Sequence, residues 1–577
     1  MRLVTIPALA LLATSSASVA SEPPPLASLV ADYLWSGDET VRDRAAIALS
    51  ETAAYTAATR SAFASFERLL ERSRPDSTPL PPREGGVFRA QLLTVTLPDG
   101  REMPVFVQLP PDYDPERAWP TILAMHGGPT ASPEQSMRGA MNMLDVWLEP
   151  AKNAGWIVIS PAMTHVVAAA PRTEERLPYE ILRADQMEAM LRAVGQRYHL
   201  DPDRIVSTGI SLGSNFSIAY AASRPARFAG IVPVSTEGES REHLLRNLMH
   251  VPTFVLEGAR DRNVRSVDGA RALDAILERF GYDHVYREFS DRAHEGFQEV
   301  YPEVLRWLEA RPREPFPAEI LRVPHRGIVP LAKRVHWIEA DTRQALVRAK
   351  AIGNRIDIEA RWARKLHVYL HDRLVNLDEP IQIRVNGVLA YEGRVDRSIP
   401  FALEQVRALD DLGRPFAGRV TVAVSESLES VRAGVRLTED LAPQHPEGAL
   451  SFWETYAIRA LMERFPSLEI EGVEVADPKS LGLGGELTAI RLTTVEPDSP
   501  FAAAGVKEGD LLLEVGGEPF FAGHGLNGLR GFDGLDELYR WLVLELDGVA
   551  RPYPVVVRRD GVELTLEASL ALGSYRE

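Results

Sequence analysis

From about residue 88 the chain alternates short apolar runs with stretches whose apolar residues recur every three or four positions. The runs are "TILAMHGG", "GWIVISPA", "RIVSTGIS", "FAGIVPVS", "TFVLEGARD" and "HVYREFS"; between the later ones lie "RADQMEAMLRAVGQRY" and "VDGARALDAILERFG". Strands that are apolar throughout and alternate with amphipathic helices predict a mostly parallel sheet covered by helices on both faces. An α/β domain over residues 88–311 is therefore expected. It opens on a hairpin, "QLLTVTL" and "MPVFVQL" across "PDGRE", and closes with "VYPEVLRWLEARP" before a Pro-rich "PREPFP".

The flanks have different patterns. Residues 26–80 hold two or three helices, as in "VRDRAAIALSETAAYTAATRSAFASFERLLERS", and a linker, "RPDSTPLPPREGG". They could form a cap or a docking element. Residues 315–440 read as a small antiparallel β domain, with alternating runs such as "KLHVYLHD" and "IQIRVNGVLAYEGRV". His367 and His371 have a spacing that suits a metal site on a helix. On a strand they stand two pleats apart with Asp372 facing the other way, so surface histidines are expected. A last unit covers residues 468–573.

Composition narrows the class. A formal net charge of −17 without any basic run excludes a nucleic-acid-binding surface. The N-terminus, one Arg2 followed by an apolar run and small residues ending "SVA", has the order of a secretory signal peptide over residues 1–20. The chain has no cysteine, hence no disulfide, thiol nucleophile or lipid-modified cysteine. No later segment is long and apolar enough to span a bilayer. The expectation is a soluble, exported protein, periplasmic or extracellular, without a cofactor.

The chemistry is concentrated in Gly209-Ile210-Ser211-Leu212-Gly213, a G-x-S-x-G run. A strand that reverses into a helix within one residue forces that residue into a strained conformation and needs small neighbours on both sides. "RIVSTGI" before it has a strand pattern and "SNFSIAYAAS" after it a helical one, the context such a turn requires. A serine needs a base, and the base an orienting acid, in the order Ser, Asp, His along such a sheet. Asp261 follows the run "VPTFVLEGARDRNV" and His294 follows "HVYREFSDRAHEGF". Taken alone, Asp261 could be a turn or helix-capping residue and His294 an exposed loop histidine; together they complete Ser211 in the required order. Asp291, Asp268 and His284 fit the strand-end positions less well. Two N–H donors must meet the developing oxyanion: Leu212 supplies one, and Gly128 of "AMHGGPT" the other, with Gly127 as the fallback because Pro129 has no N–H. His126 is expected to be structural.

Residues 88–311 resemble the α/β-hydrolase superfamily, in the branch of prolyl oligopeptidase catalytic domains and polyhydroxybutyrate-depolymerase-like or feruloyl-type esterases. The resemblance rests on "LPPDYDPERAWPTILAMHGGP", "GISLGS", "GARDRNV" and "RAHEGF". It implies acyl transfer from an ester or peptide through an acyl-serine, with no metal. Prolyl oligopeptidases carry a β-propeller before the hydrolase, and about 65 residues between a cleaved leader and the sheet cannot build one. That favours an ester over a peptide substrate.

The last unit resembles a PDZ domain of the bacterial periplasmic-protease type, through "LGLGGELTAIRLTTVEPDSPFAAAGVKEGDLLLEVGGEPF", "GLDELYRWLVLEL" and "YPVVVRRDGVELTLEAS". The resemblance implies strand addition: a peptide or protein C-terminus pairs with the strand after "SLGLGG", its carboxylate held by the N–H groups of Leu483, Gly484 and Gly485. The long "FAGHGLNGLRGFDG" could obstruct that groove, and the unit could instead pack on its own chain. Three readings stay open: an ester hydrolase tethered by the unit, a peptidase recruiting C-termini through it, and a non-catalytic peptide-binding scaffold. The stretch "THVVAAAPRTEERLPYEILRADQ" is expected to border the substrate pocket.

Overall fold

The computed structural model describes residues 25–73, 90–98, 100–128, 133–163, 184–238, 242–262, 266–324, 331–425, 428–441, 470–474, 488–497, 499–516, 518–520, 538 and 551–570. The leader-like residues 1–20, residues 164–183 of the stretch expected to border the pocket, and the loop of Leu483, Gly484 and Gly485 lie outside them. No helix among the described residues is long and apolar enough to cross a membrane.

Four helices come first among the described residues: α1 (Leu26–Trp35), α2 (Glu39–Glu51), α3 (Ala53–Thr56) and α4 (Arg60–Glu71). Asp38 caps α2 by accepting from Thr40 N, and Thr59 caps α4 by accepting from Ala62 N. The apolar stripe of α4 buries Phe63, Phe66 and Leu70. That stripe shares a core with Phe316, Ile338, Val368 and Leu403, residues of the segment that follows the α/β domain. The helices thus complete the β unit rather than capping the hydrolase-like sheet.

That sheet has eight strands: β1 (Gln91–Thr96), β2 (Glu102–Gln108), β3 (Trp119–Met125), β4 (Ile157–Pro161), β5 (Leu200–Ile210), β6 (Gly230–Val234), β7 (Thr253–Gly258) and β8 (His284–Phe289). Their order is β1-β2-β4-β3-β5-β6-β7-β8, with β1 and β2 antiparallel and all pairs from β4 to β8 parallel. Helix α7 (Leu212–Ser223), with α6 (Ala184–Gly195), α8 (Glu242–Leu245) and α9 (Ser266–Phe280), covers one face; α5 (Pro133–Ala154) and α10 (Tyr301–Glu309) cover the other. Ten of the twelve residues of α7 are buried, which is why its sequence is apolar nearly all round. Register sets Met125 beside Gly209, Ile210 beside Val234 and Gly258 beside Phe289, so the carboxyl ends of β3, β5, β6, β7 and β8 form one row.

The segment after the hydrolase-like unit forms two sheets, of four and five strands, with α11 (Ile399–Leu409) and α12 (Leu428–Leu441). All pairs are antiparallel except Arg355–Ile358 with Gln382–Val385. His371 departs from the expected surface position: it is buried, bonded to Glu67 of α4 at 2.9 Å and stacked on Phe316. The reason lies in the chain before residue 73, which covers it. His367 stays half-exposed, bonded to Thr421, and Asp372 holds Arg397 and Arg60. Arg313, whose side chain is 1% exposed, spans the seam to the hydrolase-like unit through Asp203 and Asp411, and Asp411 also holds Arg414.

Among the described residues the C-terminal unit is a sheet of the strands 470–474, 490–495, 511–515, 551–559 and 562–570 in that order, with 518–519 beside 511–515. The strand 490–495, which follows the "SLGLGG" loop, has 470–474 on one edge and Leu511 and Leu512 on the other. An added peptide therefore finds that edge occupied at Ile490 and Arg491. The outer strands of the sheet are 470–474 and 562–570.

Candidate active site

Ser211 occupies the single residue between β5 and α7, with φ 57° and ψ −124°. A side-chain-bearing residue at such a φ is strained, and the surrounding structure must hold it there. Ser211 N donates to Val234 O at 3.0 Å, and Ser211 O accepts from Ser214 N at 2.9 Å. The two glycines of the motif are there for close approach. A Cβ at Gly209 would lie 2.2 Å from the carbonyl carbon of Gly213, and one at Gly213 would lie 2.2 Å from Met125 O. The turn is possible only without those methyls.

The loops after β7 and β8 meet beside it. A Cβ at Gly258 would lie 2.3 Å from Ala293 O, and Arg260 N donates to Arg292 O. This packing brings Asp261 Oδ2 to 2.6 Å from His294 Nδ1, with the Asp261 side chain fully buried and that of His294 28% exposed. The sequence beyond His294 is tied to the end of β6: Ser235 Oγ donates to Glu295 O at 2.9 Å and accepts from Glu295 N at 3.1 Å. Arg292 grips the Glu295 carboxylate with two bonds of 2.8 Å. Ser211 Oγ and His294 are not hydrogen-bonded to each other.

The loop after β3 lies against the serine. A Cβ at Gly127 would be 2.9 Å from Ser211 Cβ, and Gly128 has a φ of 75° that glycine adopts freely. Leu212 is the first residue of α7, so its N–H has no intrahelical acceptor. His126 is structural, as expected: Nε2 accepts from Met163 N and Nδ1 donates to Gly127 O, while burial pushes its pKa below the ordinary range.

The rival residues lie elsewhere. His284, at the start of β8, bonds Asp274 of α9; Asp268 and Asp291 are exposed. Three residues at the site escaped the sequence reading: Ser235, Arg292 and Glu257. Glu257 is fully buried and accepts from Thr236 N at 2.9 Å and Gly258 N at 3.1 Å. Its burial, with Asp261 beside it, pushes its pKa up to about 8. An acidic residue inside the apolar run "TFVLEG" was the available signal. Among the described residues no group of three His, Asp or Glu side chains is placed to hold a metal ion.

Residues 98–302 match the family model described as "Putative esterase". The chain is 31% identical over 140 residues to dipeptidyl-peptidase 5 of Porphyromonas gingivalis, covering 23% of this chain and 19% of that protein. It is similar to a thermostable esterase (22% identity, 39% of this chain and 63% of that one, TM-score 0.32). It is also similar to dipeptidyl peptidase 4 of Porphyromonas gingivalis (15% identity, 38% and 35%, TM-score 0.30). The chain spans about a fifth of the length of the curated relative and less than two thirds of these two structures. The esterase match and the strand order support an esterase-like serine hydrolase in the matched segment and fit an α/β-hydrolase-like domain there.

Proposed function

We propose that the protein hydrolyses a carboxylic ester through Ser211, His294 and Asp261. The observation that carries this reading is the pairing of a strained Ser211, presented at the N-terminus of α7, with a His294–Asp261 hydrogen bond on the neighbouring loops. Ser211 Oγ attacks the carbonyl carbon while His294 Nε2, approaching to about 3 Å, takes the hydroxyl proton. Asp261 holds Nδ1–H and offsets the imidazolium charge. The oxyanion lies between the N–H groups of Leu212 and Gly128. His294 returns the proton to the departing alcohol, and a water activated in the same way releases the acid from Ser211.

A fluorophosphonate probe tests the first step: it should label the folded wild type and leave Ser211→Ala unlabelled. Equal labelling of both would end this reading. A peptide substrate is the second reading, supported by the partial identity to a protein named as a dipeptidyl-peptidase. Parallel assays on p-nitrophenyl esters and on dipeptidyl amides separate the two. For the C-terminal unit we propose a PDZ-type module that tethers the enzyme or receives a peptide or protein C-terminus. Its capped turn supports this, with Ser499 accepting from Ala502 N and Asp510 from Lys507 N; the accepting edge would be the strand 470–474. Export remains part of the proposal, and release of a leader after Ala20 is checked by N-terminal sequencing of secreted protein.

A further inference from the structure

We propose that Glu257 holds a proton at neutral pH and, by donating it to Asp261, acts as a positioning residue for the Asp261–His294 pair. This rests on the catalytic reading above. Glu257 is the penultimate residue of β7 and is fully buried. Both its oxygens accept backbone N–H groups, Oε2 from Thr236 and Oε1 from Gly258, which fixes the plane of the carboxyl group. Asp261, four residues on, is buried on the same turn, its N–H bonded to the carbonyl of Gly258, and its charge acts on Glu257. Two carboxyl groups buried side by side do not both ionise, because each charge lacks water and repels the other.

The surroundings decide which one keeps the proton. Asp261 faces the Nδ1–H of His294 at 2.6 Å. Glu257 faces N–H dipoles, the Asp261 carboxylate, and Tyr286 of β8, whose hydroxyl is turned to Glu288. Beyond Thr236, Glu237 is exposed and accepts from Asn215. Burial is the largest influence on Glu257; the two N–H bonds oppose it and Asp261 adds to it, leaving the group protonated up to about pH 8. A protonated Glu257 donates to Asp261 in addition to His294 and restrains rotation of its carboxylate. When Glu257 ionises, that donor is lost and two like charges sit together, so Asp261 is displaced from His294. Activity is thus expected to carry an alkaline limit set by Glu257.

The test uses the full-length protein, Glu257→Gln and Ser211→Ala. The wild type should show the infrared carbonyl band of a protonated carboxyl group at neutral pH, lost as the pH rises through about 8 and missing from Glu257→Gln. Hydrolysis of a p-nitrophenyl ester should fall roughly tenfold one pH unit above that point in the wild type. Glu257→Gln, whose amide donates to Asp261 but cannot ionise, should lack this limb while keeping activity at neutral pH. A wild type without the band at neutral pH overturns the proposal. So does a folded Glu257→Gln with an unchanged alkaline limb. If the wild type is no more active than Ser211→Ala, the catalytic reading fails and the positioning role with it; the band, read without substrate, shows separately where the proton sits.

Discussion

Gly213 lies so close to Met125 that a methyl group on it would sit 2.2 Å from the Met125 carbonyl oxygen and 2.8 Å from that of His126. The serine turn and the loop carrying Gly127 and Gly128 are therefore one packed object. Gly213→Ala must push them apart, at a cost of about 3 kcal/mol for an overpacked site. Thermal denaturation together with the rate of fluorophosphonate labelling checks this. An alanine variant with unchanged melting and labelling would show that the contact is soft.

Removing the proposed nucleophile or base should have the largest kinetic effects. For Ser211→Ala or His294→Ala, kcat on an ester should fall roughly 10⁶-fold, and for Asp261→Asn about 10⁴-fold, because the imidazole is then held in the wrong tautomer. The three losses should not add in the double variants. Losses of tenfold or less at His294 would point to another base.

The buried Arg313–Asp411 pair, 2.7 Å apart, joins the hydrolase-like unit to the β unit. Removing one partner leaves a charge without water, so Asp411→Ala should cost about 3–5 kcal/mol in chemical denaturation. Burial alone would raise the Asp411 pKa, but Arg313 and Arg414 hold it well below the usual carboxylate range. Its folded-state pKa is thus depressed. The stability it contributes is fully present above the unfolded value of about 4 and is lost as the pH falls below that. Asp411→Asn should lack this acid dependence.

Glu257 has the opposite sign. Its pKa is raised from 4.5 to about 8, so the folded state binds the extra proton. Stability should fall as the pH rises through that window, and the slope should be smaller in Glu257→Gln. Denaturant midpoints at a series of pH values read this directly; identical slopes would mean that Glu257 is ionised in the folded protein.

Phe66 of α4 is fully buried among residues of the N-terminal helices and the β unit. Phe66→Ala should cost about 3–5 kcal/mol. If α4 instead served as a removable cap, the variant would melt like the wild type and only substrate access would change.

The α/β pattern of residues 88–311, the serine turn and the order of its proposed partners were all legible because each is a local matter. A strand apolar on both faces, a turn that needs a glycine two residues to either side of its serine, and polar residues just past strand ends are each written in a few consecutive residues. The burial of His371 is not legible in the sequence because the group that covers it, Glu67 on α4, stands 304 positions away. Glu257 is silent in the sequence because an acid in a strand becomes informative only once its burial and its neighbour Asp261 are known. The free edge of the C-terminal sheet likewise depends on strand pairing, which a run of apolar residues does not specify. By itself, then, the sequence determined which elements form and which side chains could react, since propensity, periodicity and turn chemistry act over a few residues. Only the tertiary structure decided what those elements pack against and which charges share a buried site, because long-range contacts and desolvation set both.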